Sequence, residues 1–136
     1  MIRTWHMIGV ADVAKSSAWY MRLLDAQETH PGGTTFNQIM DNDGTVALAL
    51  HWWGPTGKHG DHHWPSLSSP EHGTAWNGLL LWFLVTDFDS AWERAVAMNA
   101  TIDEEPNTDN GTHLRAFVVR DPDGYYVTLN EMSAAA

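Results

Sequence analysis

Arg115–Glu131, RAFVVRDPDGYYVTLNE, reads as two antiparallel strands joined by a turn. Bulky apolar residues alternate from Arg115 to Arg120, as they do in a half-buried strand. In Asp121-Pro122-Asp123-Gly124, Pro122 pre-sets φ and Gly124 is free to take a positive φ, which together make strong turn chemistry. Tyr125 to Leu129 resumes with the β-branched and aromatic residues that suit a pleated surface.

Upstream, the same grammar recurs. Asp41-Asn42-Asp43-Gly44 separates strands expected at Thr34–Met40 and Thr45–Trp52. Strands expected at Thr4–Val10 and Leu79–Thr86 each run into an aspartate, Asp12 and Asp87, placed to cap a helix. After Asp12, the residues Val13, Tyr20, Leu23 and Leu24 fall at helical spacing, and Asp25 is suited to the left-handed residue that ends a helix. After Asp87, an apolar stripe of Phe88, Ala91, Trp92, Ala95 and Met98 leaves Asp89, Glu93 and Arg94 facing water, with Asn99 at the end. The strand Leu79–Thr86 is almost wholly apolar, which predicts burial on both faces. Ala100–Ile102 is expected to be a short strand, Glu104–Gly111 a polar loop, and Ser133–Ala136 a frayed tail. Each half thus reads strand, helix, then a run of strands, an internal duplication in element order. Trp53–Gly78, rich in Gly, Pro, Ser and His and without periodicity, separates the halves. The expected organisation is one domain over 1–136, with modules at 4–52 and 79–131 and a connecting loop at 53–78.

The pattern R-x-F-x-x-R-D-P-D-G-Y followed by a strand resembles the last hairpin of the vicinal-oxygen-chelate superfamily, which holds glyoxalase I, the extradiol dioxygenases and the bleomycin-resistance proteins. The resemblance extends from about Thr4 to Glu131 and explains the 53–78 loop least. It implies an α+β fold: two βαβββ modules whose mixed sheets curl around a shared cavity. It also implies where metal ligands belong in those members that are enzymes. First-strand ligands sit seven residues before the helix-capping aspartate, and last-strand ligands four residues after the turn glycine. Those positions carry Trp5 and Leu80, and Leu48 and Thr128. Three have no ligand atom and the fourth is a neutral hydroxyl, so no metal is expected there and no cofactor is expected at all. His6 and Glu131 lie near two of these positions, and His62 and His63 lie in a His-rich run; they are the alternatives if Fe, Mn, Ni or Zn is bound. A one-residue shift turns a strand side chain to the opposite face, which counts against His6.

Composition narrows the classes further. The 136 residues suit a single domain with a core of its own. There are 7 basic and 17 acidic residues, a formal net charge of −10, which disfavours nucleic acid and would draw a cation to any cleft it lines. There is no cysteine, hence no disulfide, thiolate nucleophile or Cys-ligated zinc. No run of about 18 apolar residues predicts a membrane span, and no basic-then-apolar leader is seen, so a cytoplasmic protein is expected. No Gly-x-Ser-x-Gly elbow or glycine-rich phosphate loop occurs.

Eight tryptophans exceed what a core of this size needs. Flat rings bind planar or cationic molecules, so part of that excess is assigned to recognition. By the parity that the resemblance implies, Trp5, Met7, Leu48, Leu50, Trp52, Leu80, Trp82, Thr128 and Asn130 face inward; core packing explains each of them equally well. Arg115, on the neighbouring strand, is assigned either to an anionic ligand or, preferentially, to a structural salt bridge. The reading is a metal-free small-molecule binding protein similar to the bleomycin-resistance branch, a homodimer whose ligand is planar and often cationic. Its ligand-binding residues are Trp5, Leu50, Trp52, Trp82, Arg115, Thr128 and Asn130. The alternative is a metal-dependent lyase or dioxygenase with ligands at shifted positions.

Overall fold

A computed structural model describes residues 1–54, 64–70 and 72–132. His59, His62, His63 and the 133–136 tail lie outside the described residues. The chain divides into two compact units, Met1–Gly73 and Thr74–Ala136. Both are α+β and both have the order strand, helix, three strands.

In the first unit the elements are β1 (Met7–Val10), α1 (Val13–Leu24), β2 (Gln27–Glu28), β3 (Phe36–Met40) and β4 (Val46–Trp52). They form an open sheet in the order β1-β4-β3-β2, with β1 parallel to β4 and the other pairs antiparallel. The Asp12 carboxylate accepts a hydrogen bond from the Lys15 N–H at 3.0 Å, which caps α1 as expected. Asp25 ends the helix in the left-handed conformation, and the next N–H, of Ala26, bonds back to Met21 O at 3.0 Å. The helix presents Val13, Ser16, Ser17, Tyr20 and Leu23 to the interior.

In the second unit the elements are β5 (Leu81–Val85), α2 (Phe88–Ala97), β6 (Thr101–Asn107), β7 (Ala116–Arg120) and β8 (Tyr126–Glu131). The sheet order is β5-β8-β7-β6, again with one parallel pair, β5 with β8. Asn99 takes the left-handed conformation that Asp25 takes, and Ala100 N–H bonds back to Ala95 O at 3.0 Å. Asp87 occupies the cap position of α2 but makes no capping bond. Its carboxylate instead accepts from Arg94 Nη2 at 2.9 Å, which draws Arg94 back along the helix into a half-buried position rather than out into water.

The two turn signatures close identical turns. Gly44 N–H bonds to Asp41 O and Gly124 N–H to Asp121 O, both at 2.9 Å, with φ of 86° and 88° at the glycines. That conformation is open to glycine and costly for other residues, which is why each turn ends in Gly.

Two expectations need correction. The apolar strand β5 is not covered on both faces: Trp82 is 41% and Leu84 59% exposed, because β5 is an edge strand with only its Leu81 side turned to the interior. The residues expected as a short strand and a polar loop form one seven-residue strand, β6, as far as Asn107. Its polarity is that of an irregular edge: the pairing with β7 shifts between Ile102 and Glu104 and again between Glu104 and Asn107. Pro106, which has no N–H to offer a ladder, falls within the second shift.

Candidate functional site

Strand pairing decides which side chains share a face. In the second unit, β5, β8, β7 and β6 bring Trp82, Thr128, Val118 and Glu104 into one row across the sheet. The row on one side holds Tyr126 and Arg120, and the row on the other holds Leu84, Asn130, Ala116 and Asn107. The opposite face carries Leu81, Val127, Phe117 and Val119 and packs on α2, where Phe117 meets Phe88 at 5.5 Å and Trp92 at 5.1 Å between ring centroids.

On the face away from α2 lies a cleft of about 270 Å³. Its floor is Leu80, Trp82, Ala116, Val118, Tyr126 and Thr128. Its wall is Asp103, Glu104, Asn107, Asp109 and Asn110, from β6 and the loop after it. Three carboxylates and two carboxamides thus face two aromatic rings, and no Lys or Arg is among the lining residues. The wall is braced: Asn107 Oδ1 accepts from Asp109 N–H at 2.9 Å, and Asn110 Oδ1 from Thr112 N–H at 2.9 Å, while Asn110 Nδ2 donates to Leu114 O at 2.8 Å. The Arg120 guanidinium lies 4.0 Å from the Tyr126 ring centroid, so this ring already accepts a cation on one side.

Several of the expected residues meet here and others do not. Leu80, Trp82 and Thr128 line the cleft together. Asn130 shares their face but is buried, accepting from the Thr112 hydroxyl at 3.3 Å and donating to Glu131 O at 2.7 Å. Arg115 lies on the α2 side. It grips Glu131 through its backbone N–H (2.9 Å), Nε (3.2 Å) and Nη2 (3.0 Å), and reaches Asp89 on α2 through Nη1 at 2.8 Å. Its guanidinium also covers the Phe88 ring at 4.6 Å. These bonds pull the Glu131 carboxyl below its ordinary pKa and raise that of Arg115. The salt-bridge role preferred for Arg115 is the one its contacts describe, and Glu131 is its partner.

Trp5, Leu50 and Trp52 belong to the first unit. Trp5 precedes β1 and is 68% exposed, as is the neighbouring His6 exposed. The expected parity fails in β4. Ile39 pairs with Leu48 but Met40 with Val46, so Ala47 is an extra residue, a bulge. Beyond it every side chain changes face. Leu48, Leu50 and Trp52 therefore share a face with Ile8 and Val10, towards α1, and Ala49 and His51 turn to the face of Met7 and Gly9. Counting four residues from the turn glycine reaches the open face at Thr128 but the helix face at Leu48. The residues at the metal positions of the family offer between them one neutral hydroxyl, which does not fit a divalent cation. Among the described residues no three His, Cys, Asp or Glu side chains come close enough to share a metal ion.

The open face of the first sheet is occupied by its own chain. The 3-10 turn Pro65–Leu67 brings Leu67 O to where a Cβ on Gly9 would meet it at 2.7 Å, and the Trp64 ring stands edge-on to His51 at 5.5 Å.

The acidic wall was not anticipated. The Asp103-Glu104-Glu105 run is plain in the sequence, but Glu104 comes to the same face as Thr128 and Trp82 only through the register shift after Ile102.

The sequence model of the Glyoxalase/Bleomycin resistance protein/Dioxygenase superfamily matches residues 4–129, and the chain belongs to that superfamily. Among solved structures, a protein of unknown function from Agrobacterium tumefaciens strain C58 is similar at TM-score 0.71 and 22% identity, covering 98% of this chain and 95% of that one. An integron cassette protein from the mobile metagenome of Vibrio cholerae matches at TM-score 0.69 and 19% identity, with 98% of each chain covered. The fosfomycin resistance protein FosX of Listeria monocytogenes matches at TM-score 0.63 and 14% identity, covering 99% and 98%. At these identities the likeness is one of fold. No curated protein matches the chain. No helix among the described residues is long and apolar enough to cross a membrane.

Proposed function

We propose that this protein binds a small, flat, positively charged molecule in the cleft of its second unit and does so without a metal ion. The observation that carries the reading is the lining itself: Asp103, Glu104 and Asp109 on one wall, Trp82 and Tyr126 on the floor, and no basic side chain among them. Carboxylates attract and orient the charge, and the rings supply apolar area, with Trp82 offering a negative π face while one side of Tyr126 is taken by Arg120. The net charge of −10 adds a long-range field of the same sign. The unsuitable side chains at the family's metal positions support the metal-free part. A small molecule held without bond changes is the role left to such a site.

The test is fluorescence titration of untagged protein with planar cations. Trp82 lines the cleft, so emission quenches saturably. Trp82→Leu keeps the fold, since the ring is 41% exposed, and weakens binding several-fold, because a stacking or cation–π contact contributes about 0.5–2 kcal/mol. No saturable quenching by any planar cation, or a stoichiometric metal in the purified protein, overturns the reading.

We also propose a homodimer. Leu79, Leu80 and Leu84 lie exposed on and beside the edge strand β5, an apolar margin that a second copy would cover. Sedimentation at micromolar concentration giving only a 15.2 kDa species overturns that.

A further inference from the structure

Within the cleft, the hydroxyl of Thr128 stands apart. Thr128 is 2% exposed and lies on a central strand, yet its hydroxyl makes no hydrogen bond among the described residues, and no buried side-chain oxygen there is left without a partner. The hydroxyl of this otherwise buried residue therefore opens onto the cleft that Thr128 lines. A group so placed has no protein partner and offers its oxygen to whatever enters the cleft.

Its position in the row gives a direction. Trp82, Thr128, Val118 and Glu104 follow one another across four adjacent strands. At about 4.8 Å per strand, the backbones of Trp82 and Glu104 are roughly 14 Å apart, with Thr128 one strand from the indole. The row therefore runs from a ring, through a hydroxyl and a methyl-lined step, to a carboxylate. Asp103 adjoins Glu104 on β6, and Asp109 lies in the loop that follows that strand. The cleft volume, about 270 Å³, lies just below the roughly 300–1,000 Å³ range of ligand pockets, so the occupant is small.

Resting on the binding reading above, we infer that the cleft selects cations bearing N–H protons, such as a protonated amine, amidine or guanidine joined to a flat apolar body, over quaternary cations of the same shape. The body lies over Trp82, an N–H proton is donated to the Thr128 hydroxyl oxygen, and the acidic wall takes the charge. A trimethylammonium group has the charge and the shape but no proton for Thr128, and it presses methyl groups against a hydroxyl that then stays unbonded.

Calorimetric titration with 4-phenylbutylammonium and its N,N,N-trimethyl analogue separates the terms. Thr128→Val preserves the branched shape and removes the hydroxyl; it weakens the ammonium probe about tenfold, the scale of a hydrogen bond to a charged group, and leaves the trimethyl probe unchanged. Thr128→Ser retains the hydroxyl and keeps the preference for the ammonium probe, which distinguishes loss of the hydroxyl from disturbed packing. Glu104→Gln weakens both probes alike. If the wild-type protein binds the two probes equally, or if Thr128→Val weakens both by the same factor, the inference is overturned while the binding reading stands. If neither probe binds the wild-type protein, the inference is overturned, and the binding reading falls with it only if no planar cation quenches the fluorescence.

Discussion

Where helix meets sheet, the two units solve one packing problem in opposite ways. In the first, Asn37 on β3 donates through Nδ2 to Ser17 Oγ on α1 and to Glu28 Oε2, both at 3.0 Å, and accepts from the N–H groups of His30 and Gln38 at 2.9 Å. In the second, the corresponding strand and helix positions are Phe117 and Trp92, in ring contact, with Phe88 beside them. The correspondence is carried by backbone bonds. Trp52 N–H donates to Thr35 O and Glu131 N–H to Arg115 O, both at 2.8 Å; Trp53 N–H donates to Val10 O at 3.0 Å and Met132 N–H to Val85 O at 2.9 Å. The same topology therefore accepts a hydrogen-bonded contact or an aromatic one at this point between helix and sheet. The first depends on complete satisfaction of its polar groups, the second on shape and area.

The outer faces differ as much. In the first unit the bulge at Ala47 lies in a central strand and leaves Ala49 and Gly9 on the open face, small enough for the 64–67 segment to settle on it. In the second unit the central strands pair without a shift and the irregularity is confined to the edge strand β6. Bulky side chains and Thr128 then hold the floor while β6 raises an acidic wall. One unit fills its face with its own chain and the other keeps a cleft. What a repeated module offers to a ligand thus depends on where its bulges fall.

The helix–sheet contrast is broken most sharply by truncation. Phe117→Ala leaves a cavity between Phe88 and Trp92 and costs about 3–5 kcal/mol in denaturant unfolding. Asn37→Ala strands the His30 and Gln38 N–H groups and costs about 1–3 kcal/mol. Equal losses would mean that these two helix–sheet contacts do not differ in strength.

The turns sharpen the comparison at smaller scale. Gly44 and Gly124 share a conformation, but a Cβ at Gly44 meets nothing within 4 Å, whereas at Gly124 it comes 2.9 Å from Thr74 Oγ1 and 3.3 Å from Arg120 Nη2. Gly44→Ala costs about 1–2 kcal/mol of left-handed strain. Gly124→Ala costs about 1 kcal/mol more, because the Thr74 hydroxyl must leave its bond to Asp123 O. Thermal melts that rank the two variants equally would show that Thr74 yields freely.

The smallest effect is electrostatic and belongs to the second unit. Arg115 holds the Glu131 carboxyl below its ordinary value of 4.5, so the folded state binds its proton less readily than the unfolded chain does. The stabilisation is present above that value and is lost as the pH falls below it. Acid melts of the wild-type protein and Glu131→Gln should therefore draw together as the pH is lowered from 4.5, the wild type being the more stable above it. Parallel curves would remove the clasp from the account of stability.

Residue chemistry alone determined a good deal of this protein. Capping by Asp12, the left-handed ends at Asp25 and Asn99, and the two Asp-to-Gly turns are decided within a few residues, because backbone sterics and short side-chain bonds act locally. The order of elements in each half follows from periods of 2 and 3.6 in apolar residues, and Trp82, Thr128 and Leu80 were legible as neighbours because β8 keeps an unbroken alternation. Leu50 and Trp52 were misplaced because nothing local announces the extra residue at Ala47; a bulge is settled by which partner strand satisfies its ladder. The acidic wall was missed for the same reason, since Glu104 reaches the cleft face only through the shifted pairing of β6 with β7. Faces, unlike turns, are decided by register between segments distant in the chain, and register is a property of the assembled sheet.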